Sequence, residues 1–433
     1  MASRRYPFAF ESGAGSFAPT AAILARRTRL LAPTYRLFYE QPLQIVRAEG
    51  VWMYDERGRA FLDAYNNVPV VGHCHPYVVD ALVRQARTLN THTRYLAEQP
   101  LQLAEELLAT MPQEIGRVIF TCTGSEANDL AVRVCKAVTG GTGFIITDFA
   151  YHGVTDVLAG MSPEDGGPLG PGVYTVSAPL GAGGSAAFGE HVRQCIGRMR
   201  ADGVRLAALL VDTIFSSDGV AADPRGFLAE AVRHVRDAGG LFIADEVQPG
   251  FGRLGETMWG FERHGVIPDL VTMGKPMGNG HPVAAVAARA SLFEQFSRRR
   301  HYFNTYGGNT VSCATALAVL HVIRSEKLLE NARRTGDYLQ RGLRALAQRS
   351  PAIRDVRGAG LFIGVELGAN PASGLRGSAE TARVVNALCG RGILVGTTGR
   401  SADVLKIRPP LTFEPQHADR LLDALDRTLQ TKL

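Results

Sequence analysis

The feature that most constrains this chain is an alternation running from about residue 100 to residue 330. Short apolar runs at 116–121, 143–147, 172–177, 206–211, 241–244, 270–273 and 283–288 are interleaved with stretches of helical spacing at 101–111, 130–139, 189–202, 226–238, 291–300 and 310–325. Runs that are apolar at nearly every position suit strands buried on both faces. Strands separated by helices pair in parallel. The expected fold class is therefore α/β, with a mainly parallel central sheet flanked by helices.

The flanks read differently. Residues 44–63 hold two or three short strands around a polar turn at Asp55, Glu56, Arg57 and Gly58, which is a hairpin signal. After residue 330 come a long basic amphipathic helix (328–350), a strand pair (356–367), a helix (379–390), strands at 392–396 and 404–408, and a last helix (416–431). This predicts a smaller α+β domain. The expected division is 1–75 as an N-terminal segment with part of the small domain, 76–330 as the large domain, and 331–433 as the rest of the small domain. A helix over 20–31, stopped by Pro33, reads either as an arm on a partner subunit or as a surface helix.

Composition excludes several function classes. A net charge of +6 over 433 residues is a mild excess, and the basic run Arg298-Arg299-Arg300 reads as a solvated helix end; no nucleic-acid partner is expected. No apolar run reaches the roughly 18 residues of a membrane span, and residues 1–10 lack the apolar core of a signal peptide. The six scattered cysteines, with no CxxC, read as reduced thiols in a cytoplasmic protein. His73-Cys74-His75 invites a metal, but no second ligand pair lies at a suitable spacing. It reads as a turn entering a helix at Pro76, and no metal is expected.

Chemistry concentrates in 241–282. The run 241–244 ends at Asp245, Glu246 and Gln248, and ligands of open α/β sheets bind at that end of a strand. The run 270–273 is followed by Gly274-Lys275-Pro276, a tight turn on which an amine can be held against a cofactor. Lys275 is read as the carrier of an aldehyde cofactor as a Schiff base, with Asp245 holding the cofactor's ring nitrogen; a purely structural lysine is the alternative. Gly124-Ser125, between a strand and a helix, offers backbone N–H groups to a phosphate, although Ser and Asn also cap helices for structural reasons. Tyr151, in Tyr151-His152-Gly153, is placed to stack on a flat ring. Asn66, Asn67 and Arg94 are substrate-pocket candidates; for Arg94 a plain surface arginine is the alternative.

In order along the chain, Gly124-Ser125-Glu126-Ala127-Asn128, Tyr151-His152-Gly153, Asp245-Glu246-Val247-Gln248, Thr272-Met273-Gly274-Lys275, Asn304-Thr305-Tyr306-Gly307-Gly308-Asn309 and Arg408-Pro409-Pro410 resemble the class III aminotransferases, pyridoxal-phosphate enzymes of fold type I. The resemblance covers the chain from about residue 44 onward. It implies that Lys275 binds pyridoxal phosphate and moves protons, and that Asp245 pairs with the pyridine nitrogen. Gln248 would bond the ring hydroxyl. Gly124 and Ser125 would bind the phosphate, joined by Thr305 from the neighbouring subunit of a homodimer. Tyr151 would stack on the ring, with His152 beside it in the cofactor site, and Arg408 would grip a substrate carboxylate.

Two departures bear on the substrate. Ser217 stands where many members carry a glutamate that switches an arginine between substrates, and Val154 stands where an arginine would bind an ω-carboxylate. Several further stretches, among them Asn66-Asn67-Val68, Gly72-His73-Cys74-His75-Pro76 and Gly274-Lys275-Pro276-Met277-Gly278-Asn279-Gly280-His281-Pro282, resemble the branch containing alanine–glyoxylate aminotransferase 2 and the phospho-lyases of phosphoethanolamine and phosphohydroxylysine. The resemblance implies ping-pong transamination between an amine or amino acid and a 2-oxo acid. The alternative is a lyase eliminating phosphate or ammonia from a phosphorylated or phosphonate amine, with Arg94 and the asparagines helping to bind the second anion.

Overall fold

The structure, a computed structural model, describes residues 17–181 and 183–431. The N-terminal decapeptide considered above lies outside the described residues. Three strands come first: β1 (Ile45–Glu49), β2 (Trp52–Asp55) and β3 (Ala60–Asp63), an antiparallel meander. Seven more build the central sheet: β4 (Arg117–Thr121), β5 (Gly143–Thr147), β6 (Val173–Val176), β7 (Leu206–Asp212), β8 (Leu241–Asp245), β9 (Leu270–Met273) and β10 (Ala284–Ala288). Their spatial order is β4-β10-β9-β8-β7-β5-β6. Only β10 runs against its neighbours, so the sheet is mainly parallel, as expected.

Alternation along the buried strands divides the core between the two faces. Leu209, Val211, Phe242 and Ala244 pack on one side with Phe188, Val192, Leu228 and Val232 from helices Gly184–Ala201 and Leu228–Asp237. Ala208, Leu210 and Ile243 pack on the other with Leu130, Ala131 and Val134 from helix Gly124–Thr139 and Leu292, Phe293 and Phe296 from helix Ala290–Arg299. Each large apolar side chain so buried contributes roughly 1.5–3 kcal/mol. Two-sided burial is the physical reason these strands lack the alternating pattern of a solvated sheet.

The remaining strands are β11 (Ile353–Ala359), β12 (Phe362–Leu367), β13 (Ile393–Leu394), β14 (Gly396–Thr398) and β15 (Val404–Ile407). An antiparallel sheet forms in the order β11-β12-β15-β14. The single strand expected at 392–396 is in fact two. β13 leaves to pair in parallel with β3, while β14 stays with β15. Gly396 permits the change of sheet, because a Cβ there would sit 2.5 Å from the Tyr65 ring. A C-terminal strand thus completes the N-terminal sheet. Helix Thr20–Leu30 buries no side chain. Among the described residues, no helix is long and apolar enough to cross a membrane, and all six cysteines are unpaired.

His73 and His75 have separate partners, Asp63 at 2.7 Å and Glu326 at 3.0 Å, which gives each imidazole a structural role. His264 is different. It is buried, its Nε2 lies 3.0 Å from the Thr213 carbonyl, and its Nδ1 has no partner. Burial holds its pKa down at about 4. The folded state therefore keeps this imidazole neutral, while the unfolded chain takes up a proton below about pH 6.5. Stability present above pH 6.5 should be lost as pH falls toward 4, by up to about 3 kcal/mol from this residue. Urea unfolding of wild type and His264→Gln at a series of pH values checks this: the variant should show the shallower acid slope.

Candidate active site

The C-terminal ends of the parallel strands converge on one cavity lined by Gly124, Ser125, Asn128, Tyr151, His152, Gly153, Asp212, Asp245, Val247, Gln248 and Lys275. Ser125 lies in the first turn of the helix that follows β4, Tyr151 follows β5, Asp212 ends β7, Asp245 ends β8, and Lys275 follows β9. This is where a parallel sheet presents ligands, because helix N-termini and strand-end loops point the same way there.

The helix after β4 begins at Gly124, earlier than the expected 130–139. A capping box explains the early start. Thr123 Oγ1 accepts from the Glu126 backbone N–H at 3.1 Å, and the Glu126 carboxylate accepts from the backbone N–H groups of Cys122 and Thr123 at 2.7 and 3.0 Å. Thr-x-x-Glu is legible in the sequence as a helix start. The N–H groups of Gly124 and Ser125 then point out of the first turn with the positive end of the helix dipole behind them. Glycine is required on both sides of this cradle. A Cβ on Gly124 would meet Val247 Cγ1 at 2.9 Å, and one on Gly153, at φ +139°, would meet Ser125 Oγ at 2.6 Å.

Asp245 is buried and tightly oriented. Asn128 Nδ2 donates to its Oδ2 at 2.8 Å, His152 Nδ1 lies 2.8 Å from the same oxygen, and Oδ1 accepts from Val247 N–H at 3.1 Å. Thr272 Oγ1 donates to Asn128 Oδ1 at 2.6 Å, so β9 holds the asparagine that holds the aspartate. Glu246, next in sequence, plays no part in the cavity. It turns into the protein and accepts from Thr213 Oγ1, Gly260 N–H and Phe261 N–H, each at 2.8 Å; burial pushes its carboxyl up to about 8.

Lys275 Nζ lies 6.0 Å from the centre of the Tyr151 ring. Burial, and then the neighbouring Arg408, lower the pKa of this amine from its usual value, which favours the neutral, nucleophilic form. Arg408 follows β15 and is buried, with its guanidinium 5.1 Å from the centre of the Tyr65 ring. Its Nη1 donates to Gln248 Oε1, while its Nε has no partner. Asn67 is buried below, its Nδ2 donating to the Gln248 backbone carbonyl at 2.9 Å and its Oδ1 unpartnered. The structure thus brings Asn67, Gln248 and Arg408 together at one end of the site.

Two expected site residues stand apart within their own chain. Arg94 is exposed and lies over the Phe303 ring, 4.0 Å from its centre. Thr305 is exposed and lines a separate cleft with Asn90, His92, Cys122, His281 and Ser312. Asn66 caps its own loop, its Oδ1 accepting from Val68 N–H at 3.2 Å.

Two acidic residues to which the sequence assigned no role stand in or near the cavity, Asp212 in its lining and Glu164 outside it. Asp212 is the cross-strand neighbour of Asp245, and burial together with that neighbour raises its pKa. Its place at the end of β7 matches that of Asp245 on β8, and this was the available signal. Glu164 comes from the Gly- and Pro-rich excursion after β5, and its Oε2 accepts from Ser217 Oγ at 2.6 Å. No local pattern marks it, because the contact joins segments 53 residues apart.

A model of the family described as "Aminotransferase class-III" matches residues 37–429. The chain belongs to the class III aminotransferase family. It is 38% identical over 431 residues to a protein named alanine–glyoxylate aminotransferase 2-like from Drosophila melanogaster, covering 94% of this chain and 87% of that one. It is 35% identical to ethanolamine-phosphate phospho-lyase homolog 1 from Caenorhabditis elegans, over 94% and 93% of the two chains. Among solved structures, a phospholyase from Arthrobacter in complex with phosphoethanolamine superposes with a TM-score of 0.90 at 41% identity, over 94% of this chain and 99% of the other.

The fold is that of the pyridoxal-phosphate enzymes of fold type I, and pyridoxal phosphate is the cofactor of this class III chain. The residues present suit that group. An oriented carboxylate, a lysine of lowered pKa, an aromatic face and a glycine-cleared helix N-terminus line one cavity.

Proposed function

We propose that this class III protein is a pyridoxal-phosphate-dependent lyase that eliminates phosphate from a small phosphorylated amine. The observation that carries the reading is the substrate end of the cavity. Arg408 is buried beside it, bonded to Gln248 of the lining and with no acidic partner among the described residues, and strand β7 continues into Ser217 in place of a second glutamate. Val154, 70% exposed, supplies no cation for a second carboxylate. The likeness to the phosphoethanolamine-bound phospholyase supports the same reading.

In this reading Lys275 is the covalent anchor of the cofactor and the group that takes the proton from the substrate carbon bearing nitrogen. Asp245, aimed by Asn128 and His152, holds a proton on the pyridine nitrogen. Bound pyridoxal phosphate supplies an electron-withdrawing ring that stabilises the charge left on that carbon. Gly124 and Ser125 bind the cofactor phosphate through backbone N–H groups, and Tyr151 covers the ring. In the net reaction the C–O bond to phosphate and the C–N bond break, phosphate leaves with its electron pair, and water supplies the oxygen of the carbonyl product as ammonia departs. Thr305, exposed and outside its own chain's cavity, is assigned to the facing site of a homodimer.

Transamination is the second reading, favoured by the fork of Arg408, which suits a carboxylate as well as a phosphate. Incubation with O-phosphoethanolamine alone separates the two. Equal, continuing release of phosphate and ammonia is expected. Conversion of the cofactor to its amine form without phosphate release, together with amino transfer from an amino acid to a 2-oxo acid, overturns the lyase reading.

A further inference from the structure

β15 is one of the two inner strands of the C-terminal sheet, between β12 and β14. Val404, Lys406 and Arg408 alternate onto one face of it. Lys406 is only 5% exposed, yet among the described residues its ammonium forms no ion pair or hydrogen bond; its recorded contact is with the Phe362 ring, 5.8 Å from the centre. Its cross-strand neighbours on both sides are glycines, Gly364 and Gly396, and the space beside them is taken by Val220 and the Tyr65 ring, neither of which can balance a charge. Burial disfavours an ammonium that has no counter-ion, and among the described residues none pairs with this one. Arg408, two residues on, is 8% exposed and has an unpartnered Nε.

We propose that Lys406 and Arg408 together form a two-cation subsite for the phosphate monoester dianion of the substrate. This deepens the lyase reading and rests on it. A carboxylate needs one forked cation, which Arg408 provides alone; a dianion with three terminal oxygens is matched by a fork and a second point charge. The carboxylates whose fields reach Lys406 are Glu164 and Asp212. Both are engaged elsewhere: Glu164 accepts from Ser217 Oγ at 2.6 Å, and Asp212 accepts from the backbone N–H groups of Ile214 and Ser216 at 2.9 and 3.1 Å. Neither closes an ion pair with the lysine, so an incoming anion would have no internal carboxylate to displace. Burial, and then Arg408, hold the ammonium well below the usual lysine range, and a bound dianion would restore its charge.

The test compares wild-type holoenzyme with Lys406→Met, which keeps the length and apolar stem, and Lys406→Arg, which keeps the charge. Inorganic phosphate binding is read by calorimetry, and KM and kcat are measured with O-phosphoethanolamine. In Lys406→Met, phosphate affinity should fall about tenfold or more and KM should rise in parallel, while the visible absorption of the bound cofactor is unchanged. Lys406→Arg should recover most of the loss. Phosphate affinity and KM within twofold of wild type in Lys406→Met overturn the proposal. If wild type releases no phosphate from O-phosphoethanolamine, the lyase reading fails; the calorimetric comparison then still decides the subsite.

Discussion

Replacing Lys275 by alanine should abolish turnover, lowering kcat by on the order of 10⁴-fold or more, because one amine serves as both anchor and proton carrier. The expectation rests on placement. Lys275 follows a strand buried along its length, lines the same cavity as Asp245, and has its pKa lowered by burial and by Arg408. Borohydride reduction followed by peptide mass analysis gives a readout independent of activity. Wild type should carry the reduced cofactor on the peptide containing Lys275, and Lys275→Ala should carry none. A cofactor-modified peptide elsewhere in the variant would remove Lys275 from its role. The fold should survive, since a buried amine without an ion-pair partner contributes little to stability.

Asp245→Asn should lower kcat by on the order of 10³-fold while leaving the protein folded and the cofactor bound. The substitution keeps the shape of the side chain and removes its charge. Asn128 Nδ2 and His152 Nδ1 both approach Oδ2, so the amide oxygen takes that position, and the amide nitrogen is then turned toward Val247 N–H. A modest loss of stability, about 1–3 kcal/mol, should accompany the clash of two donors. The distinguishing measurement is the rate of proton exchange at the amine-bearing carbon of the substrate. That rate should fall with kcat, because the carboxylate acts by keeping the ring able to accept charge. A variant that exchanged this proton at the wild-type rate would place the role of Asp245 elsewhere.

Much of this protein was legible in its sequence. Seven apolar runs separated by helical spacing determine a mainly parallel sheet, since strands apolar on both faces need helices on both sides. Lys275, Asp245 and Gly124-Ser125 were legible because each sits directly after an apolar run, where a strand must end and a ligand can approach. The capping box at Thr123 and Glu126 was also written in the chain, and it moves the helix start to Gly124. The break between β13 and β14 was not legible, because 392–396 is continuous as a pattern and only packing against Tyr65 and β3 divides it.

The substrate end of the site is where sequence order stops being informative. Asn67, Gln248 and Arg408 meet across separations of 181 and 160 residues, and Ser217 meets Glu164 across 53. Lys406 reads locally as one more polar residue in a short strand; only the sheets packed around it reveal a buried lysine with no acidic partner among the described residues. Arg94 and Thr305 are exposed and outside the cavity of their own chain, as the expected contribution of Thr305 to a neighbouring subunit requires. Local pattern determines which strand ends line the cavity, because backbone periodicity and helix capping are short-range. Charge balance at the substrate end is a long-range property of packed side chains, and the tertiary structure alone decided it.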